Sequence, residues 1–128
     1  MRTAIRNQLC SEVSAFEGRV YQPSMPGPQT KKPYAVVKMG TENPANISMA
    51  FNKPVEIWVY ADKNDFTELD MRINEVIRAL HGTELTTANG EKFELRYQGY
   101  IGSEYYDEEW KATTQALEFE TVAIYEGR

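Results

Sequence analysis

The sequence has little of what most chemistry requires. It holds one cysteine, Cys10, and one histidine, His81, so neither an internal disulfide nor a Cys/His metal cluster can be built from it. Basic residues are outnumbered, with 14 Lys and Arg against 19 Asp and Glu and a net charge of −5. Nucleic-acid proteins draw affinity from a basic face that neutralises phosphates, and this balance argues against a sequence-specific nucleic-acid partner. Long apolar runs are missing too. The longest candidate, Val55 to Ala61, carries Glu56 and falls far short of the ~18 residues of a membrane span. Met1 to Val13 holds two arginines but no continuous apolar stretch of the length a secretory signal needs. The expectation is a cytosolic chain with a reduced cysteine and no membrane partner.

Catalytic equipment is equally sparse. Cys10 falls beside the apolar stripe of the first predicted helix, where it reads as a half-buried thiol. His81 lies at the end of the second helix, where the dipole favours its charged form, and reads as a surface residue. Glu104, Asp107, Glu108 and Glu109 gather acids without the alternation and central glycine of an EF-hand, so they read as a solvated acidic loop. Gly99 and Gly102 are not followed by the lysine of a phosphate-binding loop. No catalytic residue, metal ligand or cofactor site is expected, and the chain is not expected to be an enzyme.

What is present suffices for one packed domain over 1–128. The 128 residues are 41% hydrophobic and 26% charged, enough to bury roughly two-thirds of the unfolded surface. Ala4, Ile5, Leu9 and Val13 recur at helical spacing, and Gly18 follows them. A short strand is expected over 19–22. Four prolines between Gln22 and Pro33 forbid both helix and central strand, so 22–33 is expected to be a long loop. Tyr34–Met39 reads as a strand, Gly40–Pro44 as a turn, and Asn46–Lys53 as a weaker extended piece. In Pro54–Ala61, Val55, Ile57 and Val59 point one way while Glu56, Trp58 and Tyr60 point the other. Asp65 and Glu68 form a capping-box pattern ahead of Phe66, Leu69, Ile73, Val76, Ile77 and Leu80, with Arg72, Asn74, Glu75 and Arg78 on the outer side. Asn89-Gly90 predicts a hairpin between 83–87 and 91–98. A second long loop is expected over about 99–113. The last strand, Thr114 to Tyr125, changes phase near Glu120, which predicts a bulge or burial on both faces. The order implies an α+β fold: a mostly antiparallel sheet of about five to six strands with two helices on one face.

The abundant residues are aromatic: eight Tyr, five Phe and two Trp. If the helices cover the Val/Ile face, the Trp58 and Tyr60 face needs another cover, either the long loops or another chain. Val122, Ile124 and one set among Ala35, Val37 and Met39 are expected to join it. Tyr105, Tyr106 and Trp110 form a second cluster in the acidic loop. Aromatic side chains with a polar end are favoured at interfaces, so Trp58, Tyr60, Tyr105, Tyr106 and Trp110 are the candidate oligomer or partner contacts. A monomeric ligand-binding module, or a small enzyme with a pocket between sheet and loops, is the competing reading.

The pattern resembles a known family. It is carried by Ile5, Leu9 and Val13, by Val20-Tyr21 and the proline loop into Pro33-Tyr34-Ala35-Val36-Val37, and by Val55-Glu56-Ile57-Trp58-Val59-Tyr60. The helix with Ile73, Val76, Ile77 and Leu80 and the strand Leu117-Glu118-Phe119 complete it. Together they resemble the tail-completion, or tail-terminator, proteins at the head–tail junction of long-tailed bacteriophages and prophages. The resemblance implies a structural protein without activity or cofactor that forms a homo-oligomeric ring, usually a hexamer. Such a ring stops growth of the tail tube and joins it to the head, so its partners are itself, the tail-tube protein and a head-connector protein. Residues 21–32 and 99–110 would face those neighbours. Assembly would take place in the bacterial host cytoplasm, with the product in the virion tail.

Overall fold

The computed structural model describes residues 2–23, 25–27, 29–39 and 54–124, with the backbone alone at residues 123 and 124. Its elements are α1 (Arg2–Glu12), a 3-10 turn (Ser14–Phe16), β1 (Val20–Tyr21), β2 (Tyr34–Met39), β3 (Pro54–Ala61), α2 (Phe66–Leu80), β4 (Glu84–Thr86), β5 (Lys92–Asp107) and β6 (Ala112–Ile124). The turn expected over 40–44, the extended piece over 46–53 and the chain beyond Ile124 lie outside the described residues. The six strands form one sheet in the order β1-β2-β3-β6-β5-β4. The sheet is mixed. β1 joins β2 in parallel and the other four pairings are antiparallel.

The alternation in β3 decides the layering. Val55, Ile57 and Val59 are buried with Ala35 and Val37 of β2 and with Leu117 and Phe119 of β6. Both helices close over this face, α1 through Ile5 and Leu9 and α2 through Leu69, Ile73, Val76 and Leu80. Each such side chain stabilises the fold by about 1.5–3 kcal/mol when fully buried. Asp65 caps α2 by accepting the Glu68 N–H at 3.0 Å. The reciprocal half of the box is absent, because the Asp65 N–H donates to the Asp62 carbonyl at 3.0 Å.

Some expectations need correction. Phe66 does not join the core face of α2; it is exposed at the helix start. Arg72 does not lie on the outer side. It is 8% exposed, its stem packed inward and its guanidinium ion-paired with Glu75 at 2.9 Å and Glu68 at 3.9 Å. Such a long side chain can bury its stem while its head stays paired. The second expected loop, 99–113, is instead strand up to Asp107, a turn, and β6 from Ala112. The two glycines that read as breakers sit at irregularities within β5, whose register against β6 shifts between Tyr97 and Gly99 and between Ile101 and Tyr105. Gly99 (φ 136°) and Gly102 (φ 71°) adopt backbone angles that other residues rarely reach, so they bend the strand without ending it. The irregularity expected near Glu120 thus falls on the partner strand. In β6 itself Thr121 continues the Leu117–Phe119 face, and residues 112–117 are buried on both faces.

The sheet's borders differ. β1 is closed, since the Val20 N–H donates to Gly18 O at 2.9 Å and Val20 O accepts from Arg6 Nε at 2.9 Å. At the other border β4 pairs only with Lys92–Glu94 of β5, and a bridge from His81 to Leu95 extends that cover by one residue. From Arg96 to Asp107 the outer edge of β5 has no strand beside it among the described residues. Tyr100, Ile101 and Tyr105 on this stretch are 58%, 36% and 45% exposed.

Candidate partner-binding face

The second sheet face is a set of cross-strand rows. One row runs Tyr34, Tyr60, Thr114, Tyr105; the next runs Val36, Trp58, Ala116, Ile101; a third holds Lys38, Glu56 and Glu118. The β2 residues on this face are therefore Tyr34, Val36 and Lys38. Ala35 and Val37, which the sequence reading allowed here, are in the main core.

Aromatic packing organises the first row. Tyr34 and Tyr60 stack with ring centres 4.7 Å apart and planes 11° from parallel, and Tyr21 meets Tyr34 edge-on at 5.8 Å. Trp110 lies over Tyr60 at 6.1 Å. The tight turn after β5 places it there: Asp107 Oδ1 accepts the N–H groups of Glu109 at 3.0 Å and Trp110 at 3.3 Å. Such aspartate-anchored turns are common because a short carboxylate reaches the amides two and three residues on. In the second row the Trp58 indole N–H donates to Glu56 at 2.9 Å, and Lys38 Nζ stands 4.4 Å above the Trp58 ring.

Above these rows lies an open groove of about 350 Å³. Pro23 and Pro26 of the proline loop form one wall, Val36, Trp58 and Tyr60 the floor, and Tyr105 and Trp110 the opposite side. Lys38 and Asp107 also line it. Their rows meet β6 at Glu118 and Ala112, so their backbones lie toward opposite ends, about 20 Å apart along the strands, and the Lys38 ammonium leans from its end over Trp58 into the groove.

The groove's phenols hold their protons firmly. Burial, then the neighbouring Tyr105 and Asp107, push Tyr60 up to about 12, while a hydrogen bond with Thr114 acts the other way. Tyr34 is raised further, chiefly by burial and next by Tyr60. Tyr105 is raised by burial and by Asp107. All are neutral near pH 7.

Of the five aromatic residues singled out in the sequence, four meet in this groove: Trp58, Tyr60, Tyr105 and Trp110. Tyr106 does not. It follows Tyr105 on β5 and faces the other way, where Lys63 Nζ stands 5.4 Å from its ring centre. Tyr60 is only 7% exposed, so its contribution to any surface is through the ring's rim. Sequence reading missed Lys38 and Asp107 as groove residues. The period of two through Tyr34-Val36-Lys38 was the available signal for Lys38. Nothing in the spacing announces that Asp107 returns beside Tyr60.

The remaining candidates have structural roles. His81 Nδ1 accepts the Tyr97 N–H at 3.0 Å, tying the end of α2 to β5, while Cys10 packs half-buried against the main core. Among the described residues, no three His, Cys, Asp or Glu side chains are placed to hold a metal ion.

No protein-family model matches the chain, and no curated protein matches it. A solved structure does. A chain in the virion of a native gene transfer agent particle aligns with a TM-score of 0.69 at 21% identity, covering 96% of this chain and 93% of that one. The likeness is one of fold, and it extends over nearly the whole of both chains.

Proposed function

We propose that this protein is a structural subunit of a phage-like virion, and within it a tail terminator. As a homo-oligomeric ring, of six copies on the family pattern, it ends the tail tube and joins it to the head. The observation that carries the reading is the end-to-end fold likeness to a virion chain. A fold alone does not set function. Two features of this chain add support. Among the described residues the outer edge of β5 has no strand beside exposed Tyr100, Ile101 and Tyr105, and the second face carries an aromatic groove. Edges and faces of this kind are usually covered in an assembly. On this reading the chain works without catalysis or cofactor, its partners are its own copies, the tube protein and a head-connector protein, and it passes from host cytoplasm to virion tail.

Light scattering after size exclusion, with the protein alone and with tail-tube protein added, tests the proposal. A ring on its own or on the tube end is the expected result. A monomer at every concentration that also never binds the tube overturns it. Removing the gene from its phage or prophage should leave heads and tails unjoined, with tails of unregulated length.

A further inference from the structure

We propose that the groove between the proline loop and the β5–β6 turn is a receptor for a guanidinium group, the arginine side chain of a neighbouring protein chain. The argument rests on what lines it. Trp58, Tyr60, Tyr105 and Trp110 present ring faces or rims to one cavity of about 350 Å³, and Asp107 supplies a carboxylate beside them. Aromatic faces attract cations through their quadrupoles, and a guanidinium can stack on a ring while its N–H groups reach a carboxylate. The turn amides bond to Asp107 through Oδ1, so the hydrogen bonds that shape the turn leave the other oxygen for a guest.

Charge favours the same occupant. Between Glu104 and Lys111 the sequence carries four acids and one base, and Asp107 of this set lines the groove. The opposite end already shows the chemistry: Lys38 Nζ stands 4.4 Å above Trp58, an ammonium seated on a ring. Lys38 thus occupies the Trp58 face at its own end, and the guest belongs at the Asp107 end, between Tyr60, Tyr105 and Trp110. A neutral apolar segment would fit the rings equally well but would leave the Asp107 carboxylate desolvated without a counter-charge. This inference deepens the reading of these residues as a partner face, but its test does not require a ring.

The sequence contains two tryptophans, and both line this groove, so tryptophan emission reports on it alone. Arginine amide titrated into the protein should change that emission saturably, with a shift of the Trp110 indole N–H signal in NMR. Citrulline amide, of the same shape without the charge, should do neither, and lysine amide should bind several-fold more weakly. Asp107→Asn keeps the oxygen that accepts the turn amides and removes the charge, so it should weaken arginine amide about tenfold. Lys38→Met, which removes the competing cation, should tighten it about threefold and provides a second variant outside the turn. The proposal is overturned if arginine amide moves neither signal, if citrulline or lysine amide binds as well, or if both variants bind like the unsubstituted protein. A protein that binds arginine amide but never assembles keeps the site and loses the ring; one that assembles without binding does the reverse.

Discussion

At the scale of single residues, the stacked pair Tyr34 and Tyr60 ties stability to pH on the alkaline side. Both phenols are raised in the folded state, Tyr60 to about 12, against about 10 for an exposed tyrosine. A raised folded pKa means that the native state holds its proton while the unfolded chain gives it up. The contribution is therefore intact below pH 10 and is lost as pH rises from 10 toward 12, and beyond for Tyr34. The loss is at most about 1.4 kcal/mol per pH unit for each tyrosine. Urea midpoints measured between pH 8 and 12 should be flat and then fall, with a shallower fall in Tyr60→Phe. Tyr34 adds a second test. Its hydroxyl is buried and has no hydrogen-bond partner among the described residues. Removing an unsatisfied buried polar group relieves a desolvation cost, so Tyr34→Phe should leave stability unchanged or raise it by about 1 kcal/mol in the same titration at pH 7.

At the scale of elements, α2 and β5 show opposite degrees of transparency. In α2 the apolar spacing, the Asp65 cap and the closing glycine all agree, and the helix forms where they place it. Leu80 is fully buried and Ile77 only partly so. Leu80→Ala should cost about 2–5 kcal/mol and Ile77→Ala about half as much or less, measured by equilibrium unfolding. Asp65→Ala should cost about 1 kcal/mol, the usual value of a lost cap. β5 was legible only in its first half, where Phe93, Leu95 and Tyr97 alternate opposite polar neighbours. Beyond Gln98 the cues are Gly99, Gly102 and a run of acids, which locally favour a loop. They were overruled by pairing with β6 across the turn, from Gly99 with Glu118 to Asp107 with Ala112, and no local pattern reports that contact. The candidate face was legible to a similar degree. Trp58 and Tyr60 could be assigned to it from the period of two, but their neighbours Tyr105, Asp107 and Trp110 arrive through the same long hairpin. Arg72 was misread for a related reason: a charged residue looks solvent-facing until its ion pairs and the packing of its stem are known.

At the scale of the whole molecule, the sheet has, among the described residues, one closed border and one open one. Ile101→Lys places a charge on the open stretch of β5, a device that natural edge strands use against pairing. It should move the unfolding midpoint little, within about 0.5 kcal/mol, while reducing ring or tube-bound assembly severalfold in light scattering. Tyr60→Ala should do the reverse of a surface change, costing about 3–5 kcal/mol of subunit stability because it empties the stacked row. The strand order has a further consequence for the birth of the protein. β6 is the last described element in the chain, yet it lies inside the sheet, bonded to β3 on one side and β5 on the other. While the chain emerges from the ribosome, β3 therefore waits with a bare edge, and α2 has only part of the surface on which it will rest. Folding is postponed until β6 has been made, and β3 must find a strand that begins about fifty residues later. A chain stopped after Asp107 should accordingly be no smaller version of the subunit. It should emerge as an insoluble fragment, measurable by the soluble fraction on expression, whereas the full chain is recovered in solution.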